Sequence, residues 1–361
     1  MAVSRINEAG LNVNQYGNRN LIINGAMQVA QRGTSSTGLG ASAGYFTVDR
    51  YNSAFSGTAG RLTMTQDSSA PSGFANSVKI DVTTADTSVA AGEYFIFQQR
   101  IEGQNLQQFA KGTSDAKPFA VSFYVKGNAS ATYVAELYDS DNSRHINKTF
   151  SVTTDWTRVE LFFSADTTGA FNDDNASSLE LNIWLHAGTN FTSGSLQTTW
   201  GTTSQTSRAV GISSIFDSTD RTFFLTGVQL EVGDTATDFE HRTFDDELRR
   251  CYRYYQLAEN TAGSLQYVGI TQAYSTSAVF GIVKEYILPM RATPSVGQSG
   301  DFKFSGKDST GIATGAIENF AASSSGWYAG GWTGGGGNLI TGGASVVYWA
   351  NGAKLTADAE L

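Results

Sequence analysis

The sequence predicts an all-β protein: a β-sandwich, then a smaller C-terminal β domain, joined by a short amphipathic helix. The first observation is composition, because 39 glycines, 4 prolines and 12% aromatic residues favour short strands joined by tight turns. The second is a repeated alternation of apolar and polar residues, which is the period of a strand. The third is one segment with helical periodicity, placed after the last clear sandwich strand.

Three central segments alternate so regularly that each side chain can be assigned to one face of a sheet. The three segments are Phe119–Lys126, Thr157–Phe163 and Leu179–His186. In all three, every odd-numbered residue except Thr157 is apolar, and the even-numbered residues are mostly polar. This pattern predicts strands with one buried face and one solvent face. Because short polar turns separate them, we expect antiparallel sheets stacked as a sandwich.

The segment from Phe223 to Val232 is predicted to be the last strand of the sandwich. The residues expected on its core face are Phe224, Val228, Leu230 and Val232. The GDTA turn follows, and Thr243–Gln256 then carries an apolar stripe with the spacing of an amphipathic helix. The members of that stripe are Leu248, Cys251, Tyr252 and Tyr255. Thr243 is the expected N-cap of this helix.

These patterns divide the chain into four parts. They are an N-terminal arm (1–20), the sandwich domain (21–242), the connecting helix (243–256) and the C-terminal β domain (257–361). The arm lacks clear periodicity, so it is either an anchor that orders on a partner or a frayed terminus.

The charge and cysteine content restrict the function classes. With 24 basic and 33 acidic side chains the net charge is -9, which argues against nucleic acid as a partner. The single cysteine, Cys251, allows no disulfide within the chain and fits folding in a reducing cytosol. No export signal and no apolar run of membrane-spanning length is found, so we expect no membrane insertion.

Several motifs, in order along the chain, resemble those of appendage proteins of tailed bacteriophages, particularly marine and cyanobacterial ones. The motifs are NLIINGAMQVAQRGTS (20–35), FTVDRY (46–51), QRIEGQNL (99–106), SFYVKG (122–127), TDW (154–156), ADTTG (165–169), NFTSGSLQTTW (190–200), FFLTGVQLEVGDTATDFEHR (223–242) and YILPMRATPSV (286–296). Together they cover residues 20–256 and extend into the C-terminal domain.

The resemblance implies a jelly roll like that of carbohydrate-binding modules and a structural role in the virion. A tail fibre or adhesin is expected, forming a homotrimer, assembled in the host cytoplasm and displayed on the particle exterior. The arm would attach to other virion proteins, and the C-terminal domain would be distal and face a host-surface glycan. The alternatives are a head fibre or capsid decoration protein, a polysaccharide depolymerase, and a bacterial sugar-binding module.

Aromatic side chains on solvent faces are the candidate ligand-binding residues, because sugar rings stack on flat aromatics and amides bond their hydroxyls. The sandwich candidates are Trp184 and Tyr124, with Asn182 and His186 beside Trp184. The C-terminal candidates are Trp327, Tyr328 and Trp332, near a glycine-rich stretch. The alternatives are that a loop or another subunit covers the first group and that the second fills a small core.

Neither a metal site nor catalysis is expected from the motifs. The acidic stretches Asp139–Arg144 and Asn172–Asn175 do not complete an EF-hand, so Asx turns explain them better. The three histidines lie near no nucleophile or zinc-protease motif, and no phosphate-binding loop is present, so no cofactor is expected. A glycosidase requires only a pair of facing carboxylates, and the sequence alone does not exclude such a pair.

Overall fold

A computed structural model describes residues 18–281, 283–305, 312–333 and 339–361, without the side chains of residues 283–284, 312–321 and 327–333. The described chain forms two compact units, one that runs to Leu248 and one that comprises Arg249–Glu360. The candidate side chains Trp327, Tyr328 and Trp332 lie outside the described part, although their backbone belongs to a strand.

The first unit contains thirteen strands among its described residues. They are β1 (Ser35–Leu39), β2 (Gly44–Tyr45), β3 (Asn52–Ser56), β4 (Arg61–Asp67), β5 (Ser77–Thr84), β6 (Tyr94–Glu102), β7 (Phe119–Gly127), β8 (Ala131–Asp139), β9 (Arg144–Val152), β10 (Thr157–Phe163), β11 (Ser177–Ala187), β12 (Gly201–Thr202) and β13 (Thr222–Val232). The first unit also contains helix α1 (Thr189–Thr192) and 3-10 turns at Gly103–Asn105, Gln107–Phe109, Gln205–Ser207 and Ile215–Asp217. Helix α2 (Phe244–Tyr252) includes the last residues of the first unit and the first residues of the second.

These strands form two antiparallel sheets. The six-stranded sheet has the order β1-β4-β5-β13-β7-β10, and the seven-stranded sheet has the order β12-β9-β8-β11-β6-β3-β2. Odd-numbered residues from both sheets, such as Val121, Leu161 and Leu181, are buried in one shared core. The predicted all-β, jelly-roll type sandwich is therefore confirmed. The predicted solvent face is found in β10, whereas most of the even-numbered face of β11 is buried too, so the prediction of a solvent face was wrong there.

The last strand, β13, departs from the predicted facing. Phe223 and Leu225 enter the core, whereas Phe224 is half-buried on the outer face and Val232 is exposed, so the prediction for those two residues was wrong. Val232 is the last residue of the strand. The facing of Phe224 is explained by an irregularity between Thr226 and Gln229, where Gly227 has a φ of 63°, because the core residues are odd-numbered before it and even-numbered after it. Such a bulge inserts a residue and changes which face each later side chain occupies.

Helix α2 begins as predicted and ends early. The Asp246 amide donates to Thr243 Oγ1 at 3.3 Å, which confirms Thr243 as the N-cap. The helix ends at Tyr252, and Tyr255 already belongs to the next strand, so its place in the helical stripe was wrong. None of the helices in the described residues is long or apolar enough to span a bilayer.

The second unit is also built from strands. They are β14 (Tyr255–Glu259), β15 (Gln266–Gln272), β16 (Ala278–Val279), β17 (Val283–Glu285), β18 (Ser295–Ser299), β19 (Phe302–Ser305), β20 (Ile312–Ala322), β21 (Gly326–Thr333), β22 (Ala344–Trp349) and β23 (Lys354–Asp358). One sheet has the order β14-β23-β18 and another β15-β22-β19-β20-β21-β16, with β17 paired to β21. A small core includes Phe302, Phe304 and Val347, so the predicted smaller β domain is confirmed.

Candidate functional site: a cleft on the seven-stranded sheet

The outer face of the seven-stranded sheet carries an ordered array of polar and aromatic side chains. Strands β6, β11 and β8 are adjacent, and their register aligns even-numbered residues in three rows. The rows are Ile96–Trp184–Val134, Gln98–Asn182–Glu136 and Arg100–Glu180–Tyr138. This face is therefore far more polar than the core face of the same strands.

The segment that follows β11 folds back over one end of this face. Phe191 packs edge-on against Tyr94, with ring centroids 5.4 Å apart, and lies 5.3 Å from the Trp184 ring. The Ala209 amide donates to the Phe191 carbonyl at 2.9 Å, which ties the two ends of this segment together. Trp184 consequently has no exposed surface.

A cleft of about 860 Å³ remains between this folded segment and the sheet. Tyr94, Phe191 and Tyr138 are half-buried and form its aromatic walls. Its polar lining includes Gln98, Arg100, Glu180, Asn182, Asn190 and Arg208. The cleft thus combines flat apolar surfaces with hydrogen-bonding groups, as sites for small polar ligands do.

Glu136 organises the polar side of the cleft. Its carboxylate accepts two bonds from Arg208, at 2.8 and 2.7 Å, and one each from Asn182 at 2.9 Å and Trp184 Nε1 at 3.0 Å. His145 Nδ1 lies 2.8 Å from Oε1, and because a carboxylate only accepts, that nitrogen carries the proton. Glu136 itself is completely buried.

Burial and the partners of Glu136 shift its pKa in opposite directions. Burial alone would raise the pKa of this carboxyl, but the charge of Arg208 and the hydrogen bonds from His145 and Arg208 outweigh burial and lower the pKa to about 2. Glu136 is therefore ionised at neutral pH, and its charge requires Arg208 to stay in place.

Arg208 is held by stacking as well as by charge. Its guanidinium carbon lies 4.9 Å from the centroid of the Tyr138 ring and 4.9 Å from that of Trp184. Planar guanidinium groups favour this arrangement on aromatic faces. One side chain thus fastens the overlying segment to strands β8 and β11.

A second chain of contacts continues along the cleft floor. Arg100 Nε lies 3.2 Å from Glu180 Oε1, and Asn182 Nδ2 lies 3.3 Å from Glu180 Oε2. The Gln98 side-chain amide has one orientation in which both its nitrogen and its oxygen have hydrogen-bond partners. In that orientation, the nitrogen donates to Asn182 Oδ1 at 3.0 Å and the oxygen accepts from Arg100. Burial raises the pKa of Glu180, the nearby charge of Glu136 adds to this, and Arg100 opposes it.

The structure brings together only part of the predicted ligand site. Trp184 and Asn182 both line the cleft, but the prediction of an exposed Trp184 ring needs correction, because Phe191 and its neighbours cover it. This is the loop coverage that we considered as the alternative. Tyr124 lies in the six-stranded sheet against Phe74, with ring centroids 5.4 Å apart, and so takes no part in the cleft.

His186 is also absent from the cleft lining, and a strand irregularity explains why. The register between β11 and β6 shifts between Trp184 and His186. Bulges of this kind redirect the side chains beyond them. The His186 ring packs edge-on against the buried Phe216, and its Nδ1 lies 2.7 Å from Ser214 Oγ. The predicted grouping of His186 with Trp184 therefore needs correction.

Sequence reasoning missed Tyr94, Tyr138, Phe191, Arg208 and Glu136. Strand-period alternation in β6 and β8 places Tyr94, Tyr138 and Glu136 on the outer face, and this signal was available. Arg208 gave no such signal, since it lies 72 residues from its partner Glu136 in a segment without periodicity.

The comparisons with known proteins give structural likenesses alone. No protein-family model and no curated protein matches the chain. Among solved structures it is similar to the enzymatically active domain of tailspike protein 4 of bacteriophage CBA120, at 13% identity over 59% of this chain, with a TM-score of 0.31. This chain spans only 21% of that tailspike chain's length.

Two carbohydrate-binding modules are also similar to this chain. One belongs to family 61 and is in complex with β-1,4-galactotriose, at 9% identity over 60% of this chain and 99% of the module, with a TM-score of 0.33. The other belongs to family 30, at 11% identity over 64% of this chain and 96% of the module, with a TM-score of 0.32. The two-sheet fold is established by the strand order itself, and the resemblance to phage appendage proteins stays a prediction.

Proposed function

We propose that this chain binds a glycan in the cleft on the seven-stranded sheet and serves as a non-catalytic structural protein of a tailed-phage particle. The observation that supports binding is the cleft itself, where Tyr94, Phe191 and Tyr138 stand beside fixed amide and guanidinium groups. A pyranose ring presents C–H surface to aromatic faces and hydroxyls to polar groups. The cleft offers both kinds of contact.

The size and rigidity of the cleft support a short oligosaccharide as the ligand. A volume of about 860 Å³ falls in the range of small-molecule sites. The network around Glu136 fixes Asn182 and Arg208 before any ligand arrives. Side chains that are already ordered lose little entropy on binding, so their contacts contribute more to affinity.

The two carboxylates near the cleft favour binding over hydrolysis. A glycosidase needs one carboxylate as nucleophile or base and a second as acid. Both oxygens of Glu136 already accept bonds from Arg208, so neither is available to attack a sugar or activate a water. Glu180 alone does not make a catalytic pair.

The virion role is supported by the motif order along residues 20–256 and by the acidic, cysteine-poor composition. In this proposal the chain is a subunit of a homotrimeric tail fibre or adhesin, attached through its N-terminal arm and carrying the glycan cleft outward. Immunogold labelling of purified particles tests this role. Label at the tail supports it, label at the capsid changes the assignment to a head fibre or decoration protein, and particles without the protein refute it.

Glycan binding is tested on an oligosaccharide array with the full chain, followed by titration of the best ligand. Replacement of Tyr94→Ala or Phe191→Ala should each lower affinity about two- to tenfold, because one aromatic contact is worth about 0.5–1.5 kcal/mol beyond the area it buries. The matched control is Phe162→Ala, an exposed aromatic on the six-stranded sheet, which should change nothing. Equal losses in all three variants would refute the assignment to this cleft.

A further inference from the structure

A second polar cluster lies in the first unit, and none of its members lines the cleft. Asp86, Glu93 and His186 are all buried, and one ligand atom from each lies within 4.8 Å of the other two. Asp86 and Glu93 come from the connection between β5 and β6, and His186 from the end of β11. Two segments that are distant in sequence thus converge on one point.

Two atoms of this cluster have unmet hydrogen-bonding capacity. Within the described residues, neither His186 Nε2 nor Glu93 Oε2 has a hydrogen-bond partner, although both atoms are buried. They face each other at 3.6 Å, beyond hydrogen-bonding range. Buried polar atoms without a partner are costly, and one bound cation can satisfy an imidazole nitrogen and a carboxylate oxygen that face each other.

The outer contacts of the cluster hold its donors in position. Asp86 Oδ2 accepts from Thr58 Oγ1 and from the Ala59 amide, each at 2.8 Å, whereas Oδ1 receives only a long contact of 3.4 Å from Ser88. The opposite ring nitrogen of His186, Nδ1, lies 2.7 Å from Ser214 Oγ. Metal-binding histidines typically use their second nitrogen in this way, which fixes the ring orientation.

We propose that Asp86, Glu93 and His186 bind a divalent late first-row transition-metal ion, Zn²⁺ by preference. An imidazole with two carboxylates suits zinc, whereas calcium and magnesium prefer all-oxygen sites. The ligands of a tetrahedral zinc stand about 3.3 Å apart, close to the 3.6 Å between His186 and Glu93. Water completes the coordination, and the Glu93 side chain keeps 11% exposure as the route of entry.

The bulge in β11 gives this site its histidine. The register shift between Trp184 and His186 directs the imidazole to Asp86 and Glu93 and away from the cleft lining. The metal site is therefore independent of the glycan cleft, and either assignment stands without the other. Its role is to fasten the β5–β6 connection to the end of β11.

The test uses the full chain without a polyhistidine tag, after chelator treatment, titrated with Zn²⁺ by calorimetry and with Co²⁺ by visible absorption. One ion per chain is expected. Glu93→Gln should weaken Zn²⁺ binding by more than about a hundredfold, since even loss of an outer-shell partner costs about ten- to a hundredfold. Asp81→Asn, a carboxylate paired with Lys79 elsewhere on the first unit, is the control and should bind as the wild type.

Each result decides the proposal. His186→Gln should remove the visible Co²⁺ band. If this buried substitution prevents folding, the result with Glu93→Gln decides, because the Glu93 side chain is at the edge of the site. Absence of Zn²⁺ uptake by the wild type would overturn the proposal. Equal affinity in the wild type and Glu93→Gln, or equal loss in Glu93→Gln and Asp81→Asn, would overturn it as well.

Discussion

Glutamine in place of Glu136 tests whether the buried carboxylate holds the cleft together. The variant keeps the side-chain shape but removes the charge that pairs with Arg208. A pKa lowered from 4.5 to about 2 corresponds to about 3 kcal/mol of stability from this group, at about 1.4 kcal/mol per tenfold change in proton affinity. Removal of one partner from a buried ion pair costs about 3–5 kcal/mol, so the two routes agree.

The sign of the pH dependence follows from the lowered pKa. Because the folded-state pKa is below the unfolded-state value, the stabilisation by Glu136 is fully present above pH 4.5 and is lost as the pH falls towards about 2. The difference in unfolding free energy between the wild type and Glu136→Gln should therefore shrink by about 3 kcal/mol between pH 7 and pH 2.

The assay is urea unfolding of the full chain, followed by tryptophan fluorescence across this pH range. Glu160→Gln is the control, because Glu160 is 40% exposed and its pairing with Arg158 should contribute at most about 1 kcal/mol. A difference between the wild type and Glu136→Gln that stays constant from pH 7 to pH 2 would mean that the charge of Glu136 does not stabilise the fold.

Two further substitutions test the packing and the buried charges of the sandwich away from the cleft. Gly227→Ala should lower the unfolding free energy by about 2 kcal/mol, because the residue has a φ of 63° and an added Cβ would come within 2.8 Å of Phe74. Gly211 also has a positive φ, but no atom lies near the position of an added Cβ, so Gly211→Ala is the control. An equal loss of unfolding free energy in the two variants would mean that the contact with Phe74 contributes nothing. Lys111→Met should cost about 3–5 kcal/mol at pH 7, because it leaves the buried Asp139 without its cation 2.5 Å away. Chemical denaturation measures this loss. Lys111 also lies 3.1 Å from Asp166, where hydrogen bonds from Arg144 and Lys111 and the charge of Lys111 outweigh burial and lower the pKa. Part of the loss should therefore diminish in acid as Asp166 protonates, and a loss that persists unchanged would contradict the electrostatic cause.

Much of the sandwich was predictable because its strands obey a period of two. Burial of the odd-numbered apolar residues in β7, β10 and β11 follows directly from the apolar pattern, whereas the additional burial of the even-numbered residues in β11 does not. The pattern failed at bulges, which shift the facing of every later residue. Sequence alternation alone does not reveal where an extra residue is inserted, so the facing of Phe224 and the direction of His186 were mispredicted.

The site was less predictable than the fold. The aromatic and polar character of the outer face was visible in β11, where Asn182 and Trp184 occur at alternate positions. The cleft, however, exists because a segment without periodicity folds back and inserts Arg208 between Tyr138 and Trp184. Such a contact depends on tertiary structure, and no local pattern encodes it.

The network around Glu136 links stability to the proposed binding. The same carboxylate that fixes Arg208 also orients Asn182 and the Trp184 indole. Loss of the Glu136 charge should thus weaken glycan binding as well as folding. The glycan affinity of Glu136→Gln, measured at a temperature where the variant is folded, reports how much the preorganisation of Arg208 and Asn182 contributes to binding.

The most direct test of glycan binding in the cleft is a crystal structure of the full chain with the oligosaccharide that binds best on the array. We expect sugar density in the cleft of the seven-stranded sheet, with a ring against Tyr94 or Phe191 and hydroxyls bonded to Arg100, Glu180 or Asn190. Sugar density confined to the six-stranded sheet or to the second unit, with this cleft empty, would contradict it.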